Sequence, residues 1–132
     1  MKIRRLGPGD EGIVWELAER GPQTALLADE RTIFLAALDE DVPVGFVLAY
    51  ELPRRHGDAS ILFVYEIDVR ADRRRGGVGT ALMRELATLA RARGIREGFV
   101  LTEESNAAAM AFYASLGAER PHADDVMWDL TF

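Results

Sequence analysis

Arg73-Arg74-Arg75-Gly76-Gly77-Val78-Gly79-Thr80 decides how this chain is read. Upstream runs the apolar, strand-like stretch Ile61-Leu62-Phe63-Val64-Tyr65-Glu66-Ile67-Asp68-Val69. Downstream, Val78, Leu82, Leu86 and Leu89 recur every three or four residues, the period of a helix. A strand, a glycine-rich turn and a helix in that order aim backbone N–H groups at an anion. Glycine lets the chain turn tightly and approach a ligand closely. The first helical turn adds unpaired donors and a partial positive charge, so phosphate is the expected ligand.

Two phosphate motifs are excluded by the residues. A Walker-type loop needs Lys and then Ser or Thr after its last Gly, and Gly79 is followed by Thr80-Ala81. The dinucleotide fingerprint needs a third Gly three residues after the second, and that position is Leu82.

Charge supports an anionic ligand here. Between Arg70 and Arg96 lie eight arginines against Asp72 and Glu85, about +6, so with a net charge of −6 the remainder carries about −12. The basic segment suits an anionic cofactor, and the acidic remainder suits a cationic co-substrate and disfavours nucleic acid. Solvated surface acids explain the same asymmetry without a ligand.

Outward from the loop, the elements follow from periodicity and breakers. Lys2–Leu6 reads as a strand, and Asp10 as the cap of a helix to about Arg20. Gly21-Pro22 breaks that helix, and a second short one spans about Gln23–Glu30. Thr32–Leu38 and Val42–Leu52 form a hairpin across Asp39-Glu40-Asp41, the second strand interrupted by Pro43 and Gly45. Pro53–Asp58 is a loop, Ala59–Val69 the strand before the signature, and Gly77–Arg93 the long helix, stopped by Gly94. Gly98–Thr102 reads as a buried strand and Ser105 or Asn106 as the cap of a helix to Leu116. Val126–Leu130 is the expected last strand, with a further short one near Gly117–Glu119. The chain of 132 residues is expected to form one mixed α/β domain, residues 1–132.

Composition removes other classes. There is no cysteine, and His56 and His122 are far apart, so neither a thiolate nucleophile nor a metal site is expected. No apolar run approaches the ~20 residues of a membrane span, and Met1-Lys2-Ile3-Arg4-Arg5 leads straight to a turn without a signal-peptide core. A cytoplasmic location is the simplest expectation.

Arg74, Gly77 and Gly79 fit the acyl-CoA signature of the GNAT N-acetyltransferases. Asn106-Ala107-Ala108-Ala109-Met110-Ala111-Phe112-Tyr113-Ala114-Ser115-Leu116-Gly117 is similar to that family's second motif, in which Asn is followed by Ala, Phe-Tyr and Leu-Gly. The two motifs and the matching element order cover nearly the whole chain. The resemblance implies an α+β GNAT fold: a mixed, mostly antiparallel sheet flanked by helices, with two central parallel strands that splay apart around acetyl-CoA. It implies that backbone groups of Ile67 and Val69 hold the pantetheine arm, and that Arg74 with the N–H groups of Arg75, Gly77, Gly79 and Thr80 holds the pyrophosphate. Asn106 would contact the cofactor, or simply cap its helix. Many relatives are dimers, so a homodimer is implied.

Transfer to an amine needs a neutral nitrogen, whereas an alkyl ammonium has a pKa near ~10, so a base must take a proton and an acid must protonate the departing thiolate. Strict alternation puts Glu66 and Asp68 on one face of their strand and Tyr65, Ile67 and Val69 on the other. Acids in an apolar strand suggest function, since a buried carboxylate is costly without work or a partner. Glu66 is the candidate base, directly or through a water, with Asp68 second; an ion pair with a nearby arginine is the plain alternative for each. By resemblance Tyr113 is the acid, unless it is a core aromatic beside Phe112.

Within the family, Thr32–Leu38, Val44-Gly45, Ala49-Tyr50-Glu51-Leu52-Pro53 and Tyr65–Val69 resemble the type I aminoglycoside 3-N-acetyltransferases. Those show a Tyr-Asp-Leu-Ala-Val-like stretch where Glu66 and Asp68 stand for Asp and Ala. The acceptor implied is a cationic small-molecule amine, with Glu51 and Tyr65 in the stretches carrying the likeness and Glu103, Glu104, Asp124 and Asp125 as a possible acidic rim. Another polyamine, a metabolite amine or a protein N-terminus is the enzymatic alternative. An acyl-CoA-binding or antibiotic-sequestering module is the non-enzymatic one.

Overall fold

The computed structural model describes Met1–Phe132. The chain divides into two compact units, Met1–Leu101 and Thr102–Phe132.

The first unit is built on β2 (Thr32–Asp39), whose residues through Leu38 are all buried. Its side chains alternate between two cores. Ile33, Leu35 and Ala37 join one apolar cluster, and Phe34, Ala36 and Leu38 join another. Around it lies a five-stranded sheet in the order β1 (Lys2–Arg5), β2, β3 (Val42–Leu52), β4 (Ile61–Val69), β5 (Gly98–Val100). Neighbours are antiparallel except β4 and β5, which run parallel. Helix α2 (Val78–Ala92) covers the first cluster through Val78, Leu82, Leu86 and Ala90. Helix α1 (Glu11–Leu17) and a 3₁₀ turn (Thr24–Ala28) cover the second through Val14 and Leu27.

Local chemistry explains the irregularities. Pro43 sits where the β2–β3 register slips between Ala37 and Leu38, a bulge that spares a residue with no N–H to donate. The β2–β3 turn is tight, with Glu40 at φ 48° and Asp41 at φ 67°. Both positions want residues tolerant of the left-handed region, such as Asn-Gly. Glu40→Asn with Asp41→Gly is therefore expected to raise stability by about 1 kcal/mol; a melting temperature unchanged or lowered would contradict strain at this turn. Helix α2 ends in a Schellman arrangement. Gly94, at φ 74°, donates to Arg91 O, and Ile95 donates to Ala90 O while packing into the core.

Several expectations are corrected. Helix α1 stops at Leu17, and Ala18 is extended. Asp10 does not cap it by its side chain; the carboxylate instead accepts from Gly7 N at 2.9 Å and from Arg4 at 2.5 Å, closing the preceding turn. The second helix is only the 3₁₀ turn. Strand β5 ends at Val100 and is not buried as expected: Gly98 and Phe99 are exposed and only Val100 is half-buried against the first cluster, because β5 is the edge of the sheet.

The second unit contains α3 (Ala107–Ser115), capped by Asn106 Oδ1, which accepts from Ala109 N at 3.1 Å. Gly117, at φ 83°, ends it, with Ala118 N donating to Tyr113 O. The strands expected at Val126–Leu130 and Gly117–Glu119 are absent. A strand exists only through a ladder with a neighbour, and no residue beyond Val100 joins the sheet.

Candidate active site

Strand β4 carries a bulge. Leu48 faces Glu66 and Ala49 faces Val64, so Tyr65 is the extra residue. The bulge changes the faces that strict alternation assigns. Leu62, Val64, Ile67 and Val69 pack toward the α2 core. Tyr65 lies with Phe63 and Tyr50, at ring-centroid distances of 5.6 and 5.8 Å, on the opposite face. Glu66 and Asp68 pair with Leu48 and Phe46, which belong to that same opposite face. Tyr65 and Glu66 therefore stand side by side, and the expectation that Tyr65 shares a face with Ile67 and Val69 is corrected.

Beyond the bulge, β4 leaves β5 behind. The parallel ladder covers only Leu62–Val64 against Gly98–Val100, so Tyr65–Val69 have no partner on that side. Backbone direction follows from the pairing on the other side. Arg70 N donates to Val44 O at 2.8 Å, which turns the even-numbered residues after the bulge toward β3. The N–H and C=O groups of Ile67 and Val69 thus point into the opening. Val69 O already accepts from Arg74 Nε at 2.8 Å. Gly45 permits this geometry: a Cβ there would lie 3.0 Å from Asp68 O and 3.2 Å from a methyl carbon of Val78.

The glycine-rich loop follows at once. Arg75 holds φ 64° and Gly77 φ 84°, turning the chain into α2. The first helical bond across this junction is Ala81 N to Gly77 O at 3.0 Å, so the N–H groups of Val78, Gly79 and Thr80 have no partner within the helix. Three neighbouring arginines are engaged: Arg70 with Asp72 at 2.6 Å, Arg73 with Asp39 at 2.7 Å, and Arg74 with Asp68 at 3.3 Å. Arg75 has no carboxylate partner. An extended arm bonding in the β4–β5 opening and ending in phosphates over this loop fits the groups on offer: open main-chain donors and acceptors along the arm, free N–H groups and a free guanidinium at its end.

The carboxylates separate by placement. Glu66 and Asp68 are exposed, so the cost of burying charge does not argue for them. Asp68 is engaged by Arg74, whereas Glu66 makes no ion pair. Glu51 lies on the α2 side, opposite Leu62, and receives Arg93 at 2.6 Å, so it stands on the face away from Glu66. In the second unit, Glu104 pairs with Arg120 at 3.1 Å, and Glu103, Asp124 and Asp125 are exposed.

Sequence reasoning missed an aromatic wall beside Glu66. Phe63 stacks on Phe99 with centroids 4.7 Å apart, and Tyr50 and Tyr65 extend the row. The only available signal was Phe63 two residues before Tyr65. Burial first, then Tyr65 and Glu66, pushes the Tyr50 phenol above the usual tyrosine range and keeps it neutral. Burial likewise raises Tyr113, whose ring lies 5.4 Å from Phe112.

A sheet opened between parallel strands and followed by an anion-binding turn defines a class, the acyl-CoA-dependent transferases. The sequence profile of the Acetyltransferase (GNAT) family matches residues 4–118. The chain belongs to that family, and it is an acetyl-CoA-dependent N-acetyltransferase. No curated protein sequence matches it closely. Among solved structures, it is similar to an aminoglycoside acetyltransferase from an uncultured soil metagenomic sample (28% identity, TM-score 0.86, covering 99% of this chain and 97% of that one). It is also similar to a ribosomal-protein-alanine N-acetyltransferase from Brucella melitensis biovar Abortus 2308 (26% identity, TM-score 0.78, 100% of both chains). The aminoglycoside acetyltransferase AAC(6')-Iy in complex with CoA shares the fold at 20% identity (TM-score 0.78, 99% of both chains). No helix is long and apolar enough to cross a membrane.

Proposed function

We propose that the protein acetylates an amino group of an aminoglycoside, with the 3-amino group as the position and Glu66 as the base. The observation that carries this reading is the β4 bulge, which sets an unpaired carboxylate beside Tyr65 at the mouth of the opening. The 28%-identical aminoglycoside acetyltransferase supports the acceptor class.

Bound acetyl-CoA supplies an activated acyl group with a thiolate leaving group. Ile67 and Val69 hold its arm through main-chain hydrogen bonds, and the N–H groups of Arg75, Gly77, Gly79 and Thr80 with the Arg74 and Arg75 guanidiniums hold its phosphates. Glu66 attracts the acceptor ammonium and takes its proton, directly or through one water, freeing the lone pair. Asp68, held by Arg74, positions that arginine instead of acting as base. The Phe63–Tyr65 wall offers aromatic faces to the acceptor's cationic and ring surfaces.

Tyr113 is the acid that returns a proton to the thiolate, and Asn106 both caps α3 and contacts the cofactor; these two roles rest on the family resemblance. Because burial raises the Tyr113 pKa above the usual tyrosine range, the phenol stays protonated through neutral pH, and deprotonation cuts activity only on an alkaline limb beyond that range. Tyr113→Phe is expected to lower kcat about 10²-fold and to abolish that alkaline limb. An unchanged limb would remove Tyr113 as the acid.

The acceptor is tested by mass spectrometry with saturating acetyl-CoA and a panel of aminoglycosides, linear polyamines and an Ala-terminated peptide, the product's position then read by NMR. The reading expects aminoglycosides to have the highest kcat/KM and modification at the 3-amino group. Turnover of the peptide alone would transfer the assignment to protein N-termini, the activity of the Brucella protein's name.

A further inference from the structure

We infer that Asp39, at the β2–β3 turn, is a positioning residue for the acyl-donor loop: it holds Arg73, and through Arg73 the run of N–H groups that takes the phosphates. This rests on the donor placement proposed above.

The main chain does little to fix this loop. Arg70 N donates to Val44 O and Arg73 N donates to Arg70 O, both at 2.8 Å. From Arg74 to Gly76 no N–H or C=O bonds another backbone group. A donor array binds well only when it is already in place, because ordering a loop on binding costs affinity. Side chains therefore have to set its position.

Three arginine pairs are available for this, and they differ in reach. Arg70 binds Asp72, two residues away in the same turn. Arg74 binds Asp68 and Val69 O, on the strand that leads into the loop. Arg73 alone reaches a separate element: its Nη2 lies 2.7 Å from Asp39 Oδ2, at the end of β2. The Arg73 and Asp39 side chains are 32% and 40% exposed, against 60% and 61% for Arg74 and Asp68. Solvent therefore weakens the Arg73–Asp39 pair least.

The turn that carries Asp39 points the same way. Glu40 and Asp41 hold left-handed φ, 48° and 67°, although neither is glycine. Such strain persists where the surroundings impose it, and here it closes β2 with the Asp39 carboxylate on Arg73. Of the three acids in Asp39-Glu40-Asp41, only Asp39 has an arginine partner. Acids beside a phosphate site repel its ligand by charge alone. The inference thus has a sign of its own: plain charge makes loss of the Asp39 carboxylate tighten binding of an anion, whereas a positioning role makes the same loss weaken it.

Calorimetric titration with coenzyme A separates the two. Asp39→Asn is expected to raise the Kd for coenzyme A about fivefold, with a melting temperature close to the parent's. Asp41→Asn, in the same turn without an arginine partner, is expected to leave the Kd unchanged or lower it. The double variant Asp39→Asn, Arg73→Gln is expected to bind no more weakly than Arg73→Gln alone, since both changes act through one contact. Arg75→Gln, at the free guanidinium, reads the loop assignment itself. A Kd raised by Arg75→Gln but unchanged or lowered by Asp39→Asn would overturn the positioning role and leave the donor site standing. Additive effects in the double variant would overturn it too. A Kd unmoved by Arg75→Gln and Asp39→Asn alike would overturn the donor site along with it.

Discussion

Glu66→Gln is expected to lower kcat for amine acetylation by about 10³-fold near neutral pH, with KM for acetyl-CoA nearly unchanged. The substitution keeps size and hydrogen bonding but cannot take a proton or hold a cation. Glu66 is exposed and carries no ion pair, so its replacement leaves no buried charge behind and little change in stability follows. The pH dependence gives the sign. As pH rises toward the acceptor's pKa near ~10, the amine loses its proton without help and the variant's deficit shrinks. Asp68→Asn serves as the contrast: Asp68 is turned to Arg74, and its loss is expected to act mainly on acetyl-CoA affinity through that arginine. A Glu66→Gln enzyme whose rate and pH profile match the parent would remove Glu66 from the chemistry.

The second large effect is on folding. Leu82 is 0% exposed and sits in the second turn of α2, against the cluster that includes Ile33, Leu35 and Val47. Leu82→Ala removes buried methyl groups and leaves a cavity, which is expected to cost about 3 kcal/mol and to lower the melting temperature by about 10 °C. Leu82→Met, close in volume, is expected to cost less than about 1.5 kcal/mol. Helix α2 also begins at the glycine-rich loop, so the Ala variant is expected to bind acetyl-CoA more weakly. A melting temperature within a few degrees of the parent would show that α2 is not the main cover of this core.

Much of this was legible in the residues, and the gaps have physical causes. The loop and α2 could be read because glycine spacing and a four-residue apolar period are local signals; both sit where Arg73–Thr80 placed them. Asn106 was readable as a cap for the same reason, and its Oδ1 does accept from Ala109 N. The bulge at Tyr65 was not legible, because a register slip is a property of two strands, and β4 alone looks like simple alternation. The opening depends on β5 stopping at Val100, again a matter of pairing. Glu51 looked available as an acid near the acceptor, yet its partner Arg93 is 42 positions away in the chain. Val126–Leu130 has the composition of a strand, but composition does not supply a neighbour, and the ladder is missing.

Amide hydrogen exchange with and without acetyl-CoA addresses the placement of the donor most directly. Slowed exchange is expected at Ile67 and Val69, whose N–H groups face the opening, and across Arg75–Thr80, the loop proposed to take the phosphates, while the β1–β2 ladder is unchanged. Saturating acetyl-CoA that leaves the exchange at Ile67, Val69 and Arg75–Thr80 unaltered would contradict the assignment of the β4–β5 opening and its loop as the acyl-donor site.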